Sequence, residues 1–363
     1  MGGDDLQIFN RRVLVLETNN FVTKALLVRI AAKKAKILKK YKKVHTHFEG
    51  EWISATQLET MKKALAFIGT DVEDYVVINF PFERVISSVE TMPNLAEEQL
   101  KNAIKFKMSE EFNIPVADFI IEVAKASRGE KPPAGNRHLA FATRKSSLEE
   151  FLSKVLGISK VPEPDILIPD SLKYLELFDA RSLRESGLRD ERFSFLICMD
   201  LNYSVLFIFK NGYLWNLMEI PYSLKELIGA LAEKSIDVDE VVSALVEGSE
   251  IGSLSYVKEV QPVLDQSYQQ FLFEAEKSIR NFLIGQKVQN PLGQIHSIFV
   301  TSLNNRLTMD LEFQAHQMRL LNGMRIQRIP LKEDFPTELD SFRTVLGLAY
   351  RGVRQIGRCK FVQ

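Results

Sequence analysis

His45 and His47 alternate along a strand-like stretch and would share one face, as paired metal ligands do. No acid or cysteine stands at a recognisable spacing from them, so they read as surface histidines. His138, His296 and His316 are isolated, and Ser87, Ser88 and Ser302 lie in no nucleophile-elbow motif. There is no Walker-type GxxxxGK[ST] loop. The residues left to carry chemistry sit where apolar strands run into turns. Val13-Leu14-Val15-Leu16 leads into Glu17-Thr18-Asn19-Asn20, with Lys24 a few residues on. Phe193–Met199 leads into Asp200-Leu201-Asn202, and Ile295–Thr301 into Ser302-Leu303-Asn304. Taken alone, Glu17, Lys24 and Asp200 read as residues that cap or pin their hairpins.

The elements that must position these turns occur twice. The first set predicts strands at Val13–Leu16, Phe21–Ile30 and Lys36–His45, a helix over Thr56–Ile68 ended by Gly69, and a strand at Tyr75–Phe80 stopped by Pro81. The second predicts strands at Phe193–Met199, Tyr203–Phe209 and, after the hairpin signal Asn211-Gly212, Tyr213–Ile220. A helix over Ser223–Lys234, more helix including Gln269–Ile284, and a strand at Ile295–Thr301 follow. The unit thus recurs roughly 180 residues later, the signature of an internal duplication.

Each copy is interrupted. Val85–Ser159 reads strand (Val85–Thr91), helix (Leu95–Phe112), strand (Phe119–Ala126), loop (Arg128–Asn136), strand (His138–Thr143), helix (Ser147–Leu156). The second interruption is the acidic, helical stretch from Ser235 to Asn290. Asp170–Leu183 reads as a helix burying Leu172, Leu175, Leu177 and Phe178. The division expected is a first half, 1–190, with core 10–84 and 160–185 and an inserted subdomain 85–159. The second half, 191–363, has core 191–234 and 291–340, a helical insertion 235–290 and a C-terminal helix 341–356.

The chain has 363 residues, 45% of them hydrophobic and 26% charged, with 47 basic against 47 acidic side chains. This argues against disorder and against a protein that coats nucleic acid, which needs a basic surplus. Cys198, in an apolar run, reads as a core residue; with Cys359 alone beside it there is no disulfide scaffold, and a reducing, cytoplasmic setting fits. The charge is unevenly placed. Lys33–Lys43 holds seven lysines and no acid, and Ser341–Gln363 five basic residues and no acid. Lys225–Val260 holds eight acids against three lysines. The plain reading of each run is a solvated face; the sharper one for the basic runs is an anionic leaflet or an acidic partner. The acidic insertion is expected to face away from the basic ends.

The order of elements, with Thr91-Met92-Pro93-Asn94-Leu95, Leu100, Ala103, Ile104, Phe112, Ile114-Pro115, the helix Phe271–Phe282 and Val345-Leu346-Gly347-Leu348-Ala349, resembles the actin-like family. Within it the pattern is similar to the type IV pilus assembly protein PilM and to the cytoplasmic domain of the type II secretion protein GspL. The resemblance implies an α/β fold of two duplicated β-β-β-α-β-α domains, with an inserted subdomain of the PilM/FtsA type in the first half.

In nucleotide-binding members two glycine hairpins cradle the phosphates, an acid in each helps place Mg²⁺, and a third glycine loop holds the adenosine. The corresponding positions here are Glu17, Asn19 and Lys24; Asp200 and Asn202; Ser302 and Leu303. Every expected glycine is replaced. Asn19 and Asn202 could keep a left-handed turn, but their side chains would project toward the phosphates, and Leu303 would crowd the adenosine. The resemblance therefore implies a degenerate nucleotide site, no cofactor, no metal and no enzymatic activity. The alternative is a weak ATPase that binds ATP and Mg²⁺.

The implied role is a scaffold on the cytoplasmic face of the inner membrane, in a type II secretion or type IV pilus machine. It would link the assembly ATPase to a PilN-like or GspM-like membrane protein. A groove lined by parts of Val85–Phe112 and Asp170–Leu183 would hold the partner. The basic C-terminus would lie nearest the membrane, either as the end of a cytoplasmic protein or shortly before a transmembrane helix.

Overall fold

The computed structural model describes residues 11–31, 34–46, 53–125, 136–157, 163–178, 192–210, 213–249, 257–287, 290–332, 335–356 and 360–362. The apolar run after Arg12 forms β1 (Arg11–Thr18), buried from Val13 onward. It pairs antiparallel with β2 (Val22–Ala31), which pairs antiparallel with β3 (Lys34–Val44). α1 (Ala55–Ile68) starts at a capping box, Ser54 with Gln57, and stops at Gly69, whose φ of 71° suits the residue without a Cβ. β4 (Tyr75–Phe80) then runs parallel to β1.

Between β4 and β8 (Ile166–Pro169), which lies parallel beside β4, comes the inserted subdomain. It comprises β5 (Ile86–Met92), α2 (Glu97–Phe112), β6 (Phe119–Lys125), β7 (Asn136–Arg144) and α3 (Lys145–Leu156). Its sheet has the order β5-β7-β6. α4 (Leu172–Leu177) follows β8. The expected helix from Asp170 is thus six residues among those described, and its continuation past Phe178 lies outside them, as do Asn211-Gly212, residues 128–135 and Cys359.

The second half is built from β9 (Phe193–Met199), β10 (Ser204–Lys210), β11 (Tyr213–Ile220), α5 (Leu224–Ala232), α6 (Val238–Glu247), α7 (Val257–Gly285), β12 (Ile295–Thr301), α8 (Asn305–Gln317) and β13 (Ile326–Arg328). The two main sheets share one plan. The first reads β3-β2-β1-β4-β8 and the second β11-β10-β9-β12-β13, each with an antiparallel first trio and parallel strands after it. The first sheet gains β14 (Lys360–Val362), parallel to β3.

α9 (Arg343–Ile356), grouped by sequence with the second half, packs with α4 in the layer between the sheets. One core runs through Val13, Val15 and Leu26 of the first sheet, Leu172 and Leu177 of α4, Val345 and Leu348 of α9, and Leu196, Cys198 and Phe207 of the second sheet. A second core, of the second half, takes in Phe21 from the tip of the first hairpin, together with Leu201 and Leu303. Both cores therefore draw side chains from both halves.

Candidate functional site

The hairpin acids meet on a lysine that sequence reasoning did not single out. Lys173, on α4, is fully buried, and its Nζ lies 2.9 Å from Glu17 Oε1, 2.9 Å from Asp170 Oδ2 and 2.8 Å from Asp200 Oδ2. Glu17 closes the first hairpin strand and Asp200 the corresponding strand of the second half, so one ammonium joins the two copies. The remaining lone pairs are taken up. Thr344 Oγ1 donates to Glu17 Oε2 at 2.6 Å and accepts from Lys24 Nζ at 2.9 Å. Tyr174 OH donates to Asp200 Oδ2 at 2.7 Å, and the Leu201 N–H to Asp200 Oδ1 at 2.6 Å. Asn79 Nδ2 donates to Asp170 Oδ1 at 3.1 Å while its amide brackets the Thr18 backbone. Lys173 Nζ also lies 5.4 Å from the Tyr203 ring and 5.6 Å from the Tyr174 ring.

Burial and charge set the protonation states. Burial disfavours the ammonium of Lys173, but Asp170, Asp200 and Glu17 outweigh it and hold the pKa well above the usual lysine range. Lys24 is lowered, chiefly by burial, with Lys173 adding to the shift and Glu17 opposing it. Asp170 is pushed up to about 7, first by burial and then by Asp200 and Glu17, with Lys173 opposing. Burial, with Asp200 adding, raises the Tyr174 hydroxyl well above its ordinary value, so it stays a donor. Among the described residues no group of acids, histidines or cysteines is arranged to hold a metal ion, and these three carboxyl groups converge on an amine of the same chain.

Of the positions expected to mark the site, Glu17, Lys24 and Asp200 come together here. The other four do not join them. The left-handed turns expected at Asn19 and Asn202 are absent: neither residue has a positive φ. Asn19 keeps its hairpin tight another way, its Oδ1 accepting from the N–H groups of Phe21 and Val22 at 2.9 and 3.0 Å. Asn202 Oδ1 is buried without a hydrogen-bond partner among the described residues. Ser302 Oγ donates to the Met199 carbonyl, and Leu303 is a core residue. His45 is not a surface histidine; it is buried, with Nε2 2.8 Å from Thr23 Oγ1. His47 lies outside the described residues.

A groove of about 580 Å³ separates the inserted subdomain from the first sheet. Ile120, Phe141 and Leu152 line it on one side, Ile166, Ile168 and Leu172 on the other, with Arg351 among them. Its walls include β6 and β8, both edge strands. The lining expected from Val85–Phe112 is confined to Val85. α2 instead covers the other face of the small sheet, where Leu100, Ile104 and Met108 pack on Phe119, Ile121 and Ala140. The subdomain is also tied to the second half: Arg137 lies 3.7 Å from the centre of the Trp215 ring and donates to the Trp215 carbonyl.

The acidic insertion does not face away from the basic hairpin. Glu247 of α6 pairs with Lys42 of β3 at 2.5 Å, and Asp239 accepts from the Thr46 N–H at 3.1 Å. In the C-terminal run, Arg343 is buried against Asp340, and Arg351 pairs with Glu176 at 3.0 Å. No described helix is long and apolar enough to cross a membrane.

No family model and no curated protein matches the chain. Among solved structures it is similar to a PilM–PilN type IV pilus biogenesis complex, at 17% identity over 94% of this chain and 98% of that one, with a TM-score of 0.66. With the repeated sheet plan, that decides the architecture. The fold is a duplicated actin-like α/β fold. Looser likenesses are to the cytoplasmic domain of EpsL, an inner membrane component of the type II secretion system of Vibrio cholerae (12% identity, 61% of this chain and 75% of that one, TM-score 0.37), and to a non-polymerisable ParM mutant (10%, 95% and 100%, TM-score 0.46). At this divergence the likeness is one of fold alone.

Proposed function

We propose that this chain is a non-catalytic actin-like scaffold on the cytoplasmic face of a type IV pilus or type II secretion machine. It links an assembly ATPase to inner-membrane partners. The observation that carries the reading is the Lys173 ammonium, paired with Glu17, Asp170 and Asp200 at the meeting point of the two hairpins. An internal cation that satisfies all three acids leaves nucleotide binding with nothing to offset the loss of those pairs. Function then falls to surfaces. The groove between β6 and β8 supports the same reading, since edge strands flanking an apolar channel suit an extended segment that adds a strand. In the PilM–PilN complex the related fold is seen with a partner.

Titration calorimetry tests both parts. Mg-ATP should give no heat of binding at micromolar concentrations, and saturable micromolar binding would replace the scaffold reading with an actin-like ATPase. A cytoplasmic peptide from a PilN-type membrane protein should bind, and Leu152→Glu should abolish binding. A peptide whose affinity ignores Leu152→Glu would remove the groove from the proposal.

A further inference from the structure

Arg12, Arg29 and Lys36 stand directly opposite one another across β1, β2 and β3, three cations in one row on one face of the sheet. Like charges facing each other across strands are destabilising, so folding does not explain the row. Arg12 is neutralised by Asp74. Arg29, Lys34, Lys36 and Lys43 are exposed and in no ion pair among the described residues. Lys39, on the same face, is exposed and donates to the Ile68 carbonyl at the end of α1. The register shift at Leu27/Val28 keeps Lys39 and Lys43 on the face shared by Lys34 and Lys36.

Exposed apolar groups lie at the same end. Phe67 is 60% exposed beside Tyr41, their ring centres 5.7 Å apart, and Val72 in the following turn is 90% exposed. The acids of α1 and the turn after it are Glu59, beside Lys63 at 3.8 Å, Asp71 and Glu73, which flank Val72, and Asp74, held by Arg12. β14 extends the edge, Lys360 standing opposite Lys34.

We propose that the part of this face left exposed beside α1, which packs on Leu14, Ala25 and Leu27, docks on an anionic lipid surface. The five unneutralised cations run along strands rather than round a cleft. Lys34 to Lys43 alone spans about 30 Å at the strand rise. That suits a plane of negative charge better than a short acidic peptide, and an exposed aromatic ring within a basic field is what enters a headgroup layer. The inference goes beyond the scaffold role and requires neither the partner peptide nor the ATPase.

The test is vesicle co-sedimentation of the whole chain. Binding is expected to phosphatidylcholine vesicles containing phosphatidylglycerol, not to pure phosphatidylcholine, and to fade with salt. Each basic residue removed near an anionic surface weakens binding about fivefold, so Arg29→Gln with Lys36→Gln should weaken it roughly 25-fold. Lys225→Gln with Lys277→Gln, on α5 and α7, should leave it unchanged. The tryptophan emission of a Phe67→Trp variant should shift to the blue on anionic vesicles only. No binding to anionic vesicles overturns the proposal, as do equal losses in both double variants or an unshifted emission from the vesicle-bound Phe67→Trp variant. Binding to polyglutamate without binding to vesicles would assign the face to an acidic protein segment instead.

Discussion

Gly347 of α9 lies so close to Lys173 of α4 that a Cβ built on it would come 2.1 Å from the Lys173 carbonyl oxygen. The approach seats two helices at once: α4 carries Lys173 into the carboxylates, and α9 brings the Thr344 hydroxyl to Glu17. Gly347→Ala must push the helices apart. It should cost about 3 kcal/mol, the scale of an overpacked core. Gly229→Ala, in α5 with nothing near the new methyl group, should instead stabilise by about 0.5–1 kcal/mol. Urea unfolding of both variants checks the contrast, and equal effects would refute the close-packing argument.

Lys173→Met should be among the most damaging single changes in the chain. It leaves Glu17, Asp170 and Asp200 buried without their shared cation, a loss of about 3–5 kcal/mol. Adding Glu17→Gln, Asp170→Asn and Asp200→Asn should recover much of it, because the cost lies in the uncompensated charges. Denaturation midpoints that fall further in the fourfold variant would sink this account.

Thr344→Val keeps the volume but removes the hydroxyl between Lys24 and Glu17. Lys24 would be left buried without that acceptor. The expected loss is about 1–3 kcal/mol, the cost of an orphaned buried polar group. Thr344→Ser should recover most of it, as thermal unfolding can read.

Asp170 makes stability depend on pH. Its pKa is raised from 3.8 to about 7 in the folded chain, so the folded state binds a proton that the unfolded state releases. Stabilisation from this group is complete below about pH 4 and is lost as pH climbs toward 7, by on the order of 3–4 kcal/mol. Asp170→Asn should flatten that stretch of the stability profile. An unchanged slope between pH 4 and 7 would show that Asp170 does not carry it.

The repeated strand plan was legible because continuous apolar runs bounded by turns mark buried strands, as β1 and β9 do. The acids at their ends were legible too. Lys173 was not. α4 is six residues long and five of them are buried, so it shows no apolar stripe against which a buried lysine would stand out. Its partners lie 156 residues before it and 27 after it, at Glu17 and Asp200, distances at which periodicity says nothing. Asn19 shows a subtler limit: its residue type marks a turn, but asparagine closes turns by backbone conformation or by its side-chain oxygen, and only coordinates separate the two.

The pairing of β14 with β3, and of Thr344 with Glu17, has a consequence for how the protein is made. On a ribosome the N-terminal half emerges first, and N-terminal domains generally begin folding before synthesis ends. This one would lack α9, the Thr344 hydroxyl and its outermost strand until residues 343–362 had emerged. Its sheet would wait with an uncovered face and an open basic edge, and a nascent chain stalled short of residue 343 should depend on chaperones in a way that the finished protein does not.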